Sequence, residues 1–203
     1  MSTFNKLLTA LGHASLPGQS AHKEMSFTDR IFDAPKNAIP SVVTILLLEK
    51  EHRIVFPLIK RTSSSSHHKS QIALPGGRLD INETKEDAAL RELNEEIGAL
   101  PNTIEVIQHL TPLYIPVSNH LVYPLIAFSK TYSNFKISPN EVEYIIELSI
   151  TDLIALEKDT AKVLLTQNRT IDAPCFKYNN EIIWGATCLI LNEFRIMLNS
   201  ISE

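Results

Sequence analysis

Between Leu74 and Gly98 the chain constrains its own backbone more tightly than anywhere else. Gly76 and Gly77 stand together and Gly98 closes the segment, three of only 6 glycines in 203 residues. Thr84 and Asp87 have the spacing of a capping box at a helix start. Gly98 suits the position just past a helix end. Together they predict a helix of about 13 residues. On a wheel of about 100° per residue, Leu90, Leu93 and Ile97 make an apolar face. Glu92, Glu95 and Glu96 fall on another, centred roughly 140° away. At i, i+3 and i+4 these carboxylates converge to within about 5–6 Å and repel one another. A hard divalent cation removes that penalty, since Mg²⁺ takes oxygen ligands and binds through one or two carboxylates plus substrate phosphates. Gly76-Gly77, lacking Cβ atoms, can bring a backbone carbonyl to the same ion. Taken alone, the three carboxylates also fit an ordinary solvated acidic face.

The full spacing is more specific. Gly77, Glu83, Arg91-Glu92, an apolar residue, Glu95-Glu96 and Gly98 spell G-x5-E-x7-R-E-U-x-E-E-x-G-U. Seven fixed identities arise at random about once in 10⁸ starting points. The pattern resembles the Nudix hydrolase signature, with Ala99 where that family prefers a larger aliphatic residue. The resemblance implies an α/β fold, an α/β/α sandwich with a mixed β-sheet between helices and the glutamate-bearing helix on one face. It implies water attack on a diphosphate linked to a second moiety, with Mg²⁺ or Mn²⁺. By motif position, Glu92 and Glu96 are implied as the main metal ligands and Glu95 as a further ligand or the group that orients water. Arg91 is implied as a positioning partner that Glu83 can pair with, and the Gly76 carbonyl as an extra ligand.

The resemblance runs from about residue 16 to residue 194 and fits the coenzyme A pyrophosphatase branch best. That branch carries an upstream motif, present here as Leu58-Ile59-Lys60-Arg61-Thr62, Ser66, Ser70 and Leu74-Pro75-Gly76-Gly77. Ser66, Ser70 and Leu74 replace the Arg, Gly and Phe usual there. Arg61, Lys60, Lys69 and His68 are the implied cationic contacts for substrate phosphate. Downstream, residues 113–119, 140–142 and 183–187 also resemble the branch. Glu141 has two readings, a carboxylate facing the metal site across a groove and a surface residue on a strand edge. Trp184 is read as core, and Cys175 and Cys188 as buried thiols of a reducing compartment.

The implied reaction is hydrolysis of coenzyme A or a derivative to 3′,5′-ADP and 4′-phosphopantetheine or its acyl form. ADP-ribose or another nucleoside diphosphate conjugate is the alternative substrate. A catalytically silent nucleotide sensor is the alternative class, which three retained, mutually repelling carboxylates speak against. A net charge of -4 argues against a nucleic-acid partner. The chain lacks an apolar run of the roughly 20 residues a membrane span needs. The expected setting is cytoplasmic, with a homodimer as one option.

Outside the motif, residues 1–36 are read as an N-terminal helical arm and 37–203 as the catalytic domain. Phe4, Leu7, Leu8 and Leu11 have helical spacing, followed by a polar segment to Pro35. Strands are expected at 41–49, 53–59, 104–113, 121–129, 141–149, 176–178 and 181–184, with helices at 151–156 and 186–199. Asn179-Asn180 is a hairpin turn.

Overall fold

The computed structural model describes residues 2–26, 33–62, 70–131, 134–166 and 169–201. In chain order these form α1 (Thr3–His13), α2 (Gln19–Glu24), β1 (Ile39–Lys50), β2 (Arg53–Arg61), β3 (Ile72–Ala73) and α3 (Lys85–Ile97). Then come β4 (Ile104–His109), β5 (Leu113–Ile115), β6 (His120–Ser129), β7 (Val142–Ser149) and α4 (Ile150–Ala155). The chain ends on β8 (Asp159–Thr166), β9 (Arg169–Tyr178), β10 (Glu181–Trp184) and α5 (Gly185–Ser200).

β1 reads as a continuous apolar run because both its faces are covered. Leu46 and Leu48 pack with Leu93 and Ile97 of α3, while Ile45 and Leu47 pack with Phe56, Phe194 and residues of α1. The main sheet runs β3-β2-β1-β6-β4, with β5 added to β6 and β7 to β2. It is mixed: β1 and β6 are parallel, and the other pairs antiparallel. α3 covers one face; α1 and α5 cover the other. This is the expected α/β/α layering. A second sheet, β10-β9-β8, lies beside it. Among the described residues no helix is long and apolar enough to cross a membrane.

The sheet opens where the site will sit. β1 and β2 pair only from Leu48–Val55 to Lys50–Arg53, around a turn whose Glu51 and His52 both have positive φ. Beyond that they splay apart, and residues 72–78 fill the gap. Ile72 and Ala73 pair with β2, while the carbonyls of Pro75 and Gly77 accept from the Thr44 and Val42 amides of β1 at 2.9 and 2.8 Å. The wedge needs its glycines. A Cβ on Gly76 (φ 152°) would lie 2.1 Å from the Val42 carbonyl oxygen, and one on Gly77 2.2 Å from Glu92 Oε1.

Some expectations required correction. The run 104–113 is two strands, because Pro112 has no N–H for the ladder and the chain turns there. Part of the polar segment after α1 is a helix, α2, held by buried contacts to α5. β8 and most of β9 were not anticipated. Phe4 and Leu11 of α1, and Met25 just after α2, belong to the core shared with α5. Trp184 is half-buried against Cys175 and Ala173. Asn179 and Asn180, both at positive φ, turn β9 into β10 as expected.

Candidate active site

α3 is capped as its sequence predicts. Thr84 Oγ1 accepts from the Asp87 amide at 3.1 Å, and Gly98 at φ 70° closes the last turn onto Asn94 and Leu93. Ala88, Ala89, Leu93 and Ile97 bury its inner stripe. The three glutamates, expected on one face, are graded instead by depth. Glu96 is 1% exposed, whereas the Glu92 and Glu95 side chains keep 12% and 53% of their exposure.

Glu96 reaches under the wedge. Its Oε2 accepts from the Gly76 amide at 2.8 Å, and Arg61 Nη1 lies 3.5 Å from its Oε1. Burial pushes its carboxyl up to about 8, with the charges of Glu92 and Glu141 adding and Arg61 and the Gly76 amide opposing. Glu92 lies against the bare Cα of Gly77. Burial raises its carboxyl too; Arg91 opposes, while Glu95 and Glu141 add.

Arg91 ties the exposed side together with every N–H it has. Nε and Nη2 grip Glu83 at 2.8 and 2.9 Å in a two-pronged pair. Nη1 donates to Glu92 at 2.7 Å and Glu95 at 3.1 Å, and Nη2 also donates to the Arg78 carbonyl at 2.9 Å. The Arg91 hydrogen bonds hold Glu83 below the usual carboxylate range.

Glu141 arrives from across the groove. The chain before it runs along the end of α3, with the Lys136 amide on the Ile97 carbonyl and the Ser138 amide on that of Glu96. Its own carbonyl accepts from the Thr62 amide at the end of β2, 3.0 Å away. Both Glu92 and Glu96 feel its charge.

Of the residues singled out in the sequence, the structure gathers Glu92, Glu95, Glu96, Arg91, Gly76, Arg61 and Glu141. Arg61 lies beside Glu96, its Nη1 3.5 Å from Glu96 Oε1 and its side chain 27% exposed. Lys60 is not in the group: neighbours on a strand point to opposite faces, and its Nζ is held by Glu181 of β10 at 2.7 Å. Tyr144 also donates to Glu181. His68 and Lys69 lie outside the described residues. Sequence reading missed Arg61 as a partner of Glu96. Alternation along β2 was the available signal, since Ile59 packs toward α3 and Arg61 follows two positions on.

Among the described residues no three His, Cys, Asp or Glu side chains already meet as an ion cage. The convergence expected of the three glutamates is pre-empted by Arg91, which draws Glu92 and Glu95 outward, while Gly76 draws Glu96 inward. The donor chemistry nonetheless fits a hard divalent cation. Five carboxylates (Glu83, Glu92, Glu95, Glu96 and Glu141) face two guanidinium groups, and the least exposed of them, Glu96, has only the Gly76 amide and a guanidinium at 3.5 Å to offset its burial. Of the carbonyls of Pro75, Gly76 and Gly77, β1 takes the first and the last but not that of Gly76.

Comparison with known proteins agrees with this geometry. Residues 38–167 match the NUDIX domain. Nudix hydrolase 3 of Caenorhabditis elegans is 26% identical over 185 residues, covering 83% of this chain and 77% of that one. The mouse peroxisomal coenzyme A diphosphatase NUDT7 is 28% identical over 154 residues, 71% of this chain and 64% of its own length. A MutT/nudix family protein from Enterococcus faecalis shares the fold, with a TM-score of 0.52 at 17% identity over 98% of this chain and 75% of that one. The chain thus belongs to the NUDIX family and is a Nudix pyrophosphohydrolase, an enzyme class that works with divalent metal ions.

Proposed function

We infer that this enzyme hydrolyses the diphosphate bond of coenzyme A or a coenzyme A derivative, using Mg²⁺ or Mn²⁺. The observation that carries the reading is Glu96, a buried carboxylate short of compensating partners, beside Glu92 and under the Gly76 amide. The coenzyme A assignment is supported by the likeness to the mouse diphosphatase and by the residues 58–77 that resemble that branch's upstream motif.

Glu92, Glu96 and the Gly76 carbonyl would hold the metal, with Glu95 as a further ligand or as the group that orients the attacking water. When bound, it neutralises the diphosphate and stabilises the leaving oxygen. The remaining work falls to the chain. Arg91 keeps Glu92 and Glu95 in register through Glu83, so that little reorganisation is needed as charge moves. Glu95, the most exposed of the three, has room to accept a proton from the attacking water. Glu141 supplies a second acceptor from the facing side. Water adds to one phosphorus, the bridging P–O bond breaks, and two phosphate monoesters leave.

ADP-ribose or another nucleoside diphosphate conjugate is the second reading. It is favoured by the engagement of Lys60 with Glu181, which ties up one of the cations expected to contact phosphate. The test is product analysis with coenzyme A, acetyl-coenzyme A, ADP-ribose and diadenosine polyphosphates under Mg²⁺ or Mn²⁺. Release of 3′,5′-ADP from coenzyme A by the wild type, lost in Glu96→Gln, is the expected result. Turnover of ADP-ribose without coenzyme A would establish the second reading instead.

A further inference from the structure

Thr44 of β1 is fully buried, and among the described residues its hydroxyl has no hydrogen-bond partner. An unpaired buried hydroxyl costs stability, so what surrounds it matters. Alternation along β1 puts Val42, Thr44 and Leu46 on one face of the sheet. Val42 packs against Ala88 and Ala89 of α3, and Leu46 against Leu93 and Ile97. Leu125 of β6, paired with Thr44, packs with Ala88 and Ala89 as well. Thr44 therefore faces α3, between the level of Ala88 and Ala89 and that of Leu93, along the turn that carries Glu92. The wedge lies beside it. Residues 75–78 run antiparallel to β1: Ser41 bridges to Arg78, and the Val42 and Thr44 amides donate to the carbonyls of Gly77 and Pro75. Val42 thus stands opposite Gly77, and Thr44 opposite Pro75. Gly77, diagonal to Thr44, has no side chain on this face, and the Glu92 carboxyl occupies that place. A Cβ there would meet Glu92 Oε1 at 2.2 Å and Oε2 at 2.7 Å. Diagonal neighbours on one face stand about 7–8 Å apart, within reach of a long side chain.

We propose that Thr44 is a positioning residue of the metal centre, its hydroxyl donating to Glu92 when that carboxylate turns inward to hold a divalent cation. Without metal, Arg91 Nη1 takes Glu92 Oε1 at 2.7 Å on the exposed side of the site, and the hydroxyl is left unpaired. Metal-bound carboxylates are themselves held by hydrogen bonds from residues behind them. A threonine hydroxyl donates one such bond and brings no charge to compete with the cation. Its two branches at Cβ restrict it to few rotamers, so little freedom is lost when the bond forms. This role rests on Glu92 as a metal ligand, whichever diphosphate is cleaved.

The test reads Mn²⁺ binding and metal-free stability side by side in the full chain. Thr44→Val keeps the shape and removes the hydroxyl; Thr44→Ser keeps the hydroxyl and removes a methyl. Without metal, Thr44→Val should melt about 2–4 °C higher than wild type, because an unpaired buried hydroxyl is gone. Its Kd for Mn²⁺, measured by calorimetry, should nonetheless rise about tenfold or more. Thr44→Ser should do the reverse, melting lower while binding Mn²⁺ like wild type. A residue that only packs would not split the two readouts in this way. In turnover, the Thr44→Val deficit should shrink as Mn²⁺ is raised to saturation. Wild-type Mn²⁺ affinity in Thr44→Val, or an equal loss in Thr44→Ser, overturns the proposal. Glu92→Gln separates it from the reading beneath. Weakened Mn²⁺ binding in Glu92→Gln with none in Thr44→Val removes the Thr44 role alone, whereas wild-type affinity in Glu92→Gln removes the ligand and the role together. The expected Mn²⁺ pattern with no turnover of coenzyme A upholds the Thr44 role and removes the coenzyme A reading alone.

Discussion

Among the described residues two carboxylates are buried, Glu193 and Glu96, and they are treated in opposite ways. Glu193 of α5 is fully buried and amply matched. It pairs with His22 Nε2 at 3.0 Å, accepts from Thr111 Oγ1 at 2.5 Å, and takes the amides of Thr111 and Gly18 at 3.3 Å. Glu96 of α3 is equally hidden, yet it has one good donor, a guanidinium at 3.5 Å, and two like charges nearby. A buried charge is costly unless paired and hydrogen-bonded. Glu193 meets that condition and fastens α2 and the residue 111 loop to α5. Glu96 meets it less fully, as the proposed cation site requires. On the proposed reading, the protein keeps the same side chain as a fastener in one layer and as a metal ligand in another.

Breaking each carboxylate should separate the two roles. Glu193→Ala would strand His22, the Thr111 hydroxyl and two amides, and should cost about 3–5 kcal/mol of stability. The loss is read by denaturant unfolding, with Mg²⁺-dependent activity per folded molecule retained. A loss under about 1 kcal/mol would contradict the fastener role. Glu96→Gln should do the reverse. Hydrolysis should fall about 10²–10³-fold, the several kcal/mol a bound metal supplies, while the metal-free melting temperature does not drop. Saturating Mg²⁺ at about 100 times its Kd should stabilise wild type by about 2.7 kcal/mol and Glu96→Gln by much less. If Glu96→Gln unfolds as readily as Glu193→Ala, the contrast is false.

The same pair shows what could be read from the amino acids. α3 was legible because its signals are local: Thr84 and Asp87 at one end, Gly98 at the other, and an apolar stripe between. Asn179-Asn180 was legible for the same reason. The difference in depth between Glu96 and Glu95 was not. It depends on the wedge 72–78 passing over one and Arg91 drawing out the other, both consequences of where β1 and β2 part. Glu193 gave no signal. It sits in an amphipathic helix like a surface acid, and its partners lie 82 to 175 positions away. α2 was lost with it, because a short polar segment becomes a helix only when Ala21 and His22 have α5 to pack on. Lys60 and Arg61 were taken as equivalent cations. The strand period sends them to opposite layers, and each finds its own glutamate.

Smaller effects sharpen the comparison. Arg91→Lys keeps a charge but loses the fork on Glu83 and one of the two reaches toward Glu92 and Glu95. Activity should fall about 10–100-fold, as for other groups that orient ligands, with a matching rise in the Kd for Mn²⁺. Unchanged Mn²⁺ affinity would mean that Arg91 acts elsewhere.

Asp152 marks the lower end of the scale as a carboxylate with partners but little burial. Ser149, Tyr178 and Arg53 hold it below the usual range. A depressed folded pKa adds stability above the unfolded value of about 3.8, which is lost as pH falls through the folded value. Arg53 and Asp152 are 58% and 36% exposed, so solvent screens the pair and the contribution should stay below about 1 kcal/mol. Asp152→Asn should therefore be slightly less stable than wild type at pH 7, with the deficit shrinking as the pH falls through the lowered carboxyl range. A deficit that persists unchanged at acid pH would show that packing, not charge, connects α4 to β2. It would also mean that burial is not what ranks the protein's carboxylates.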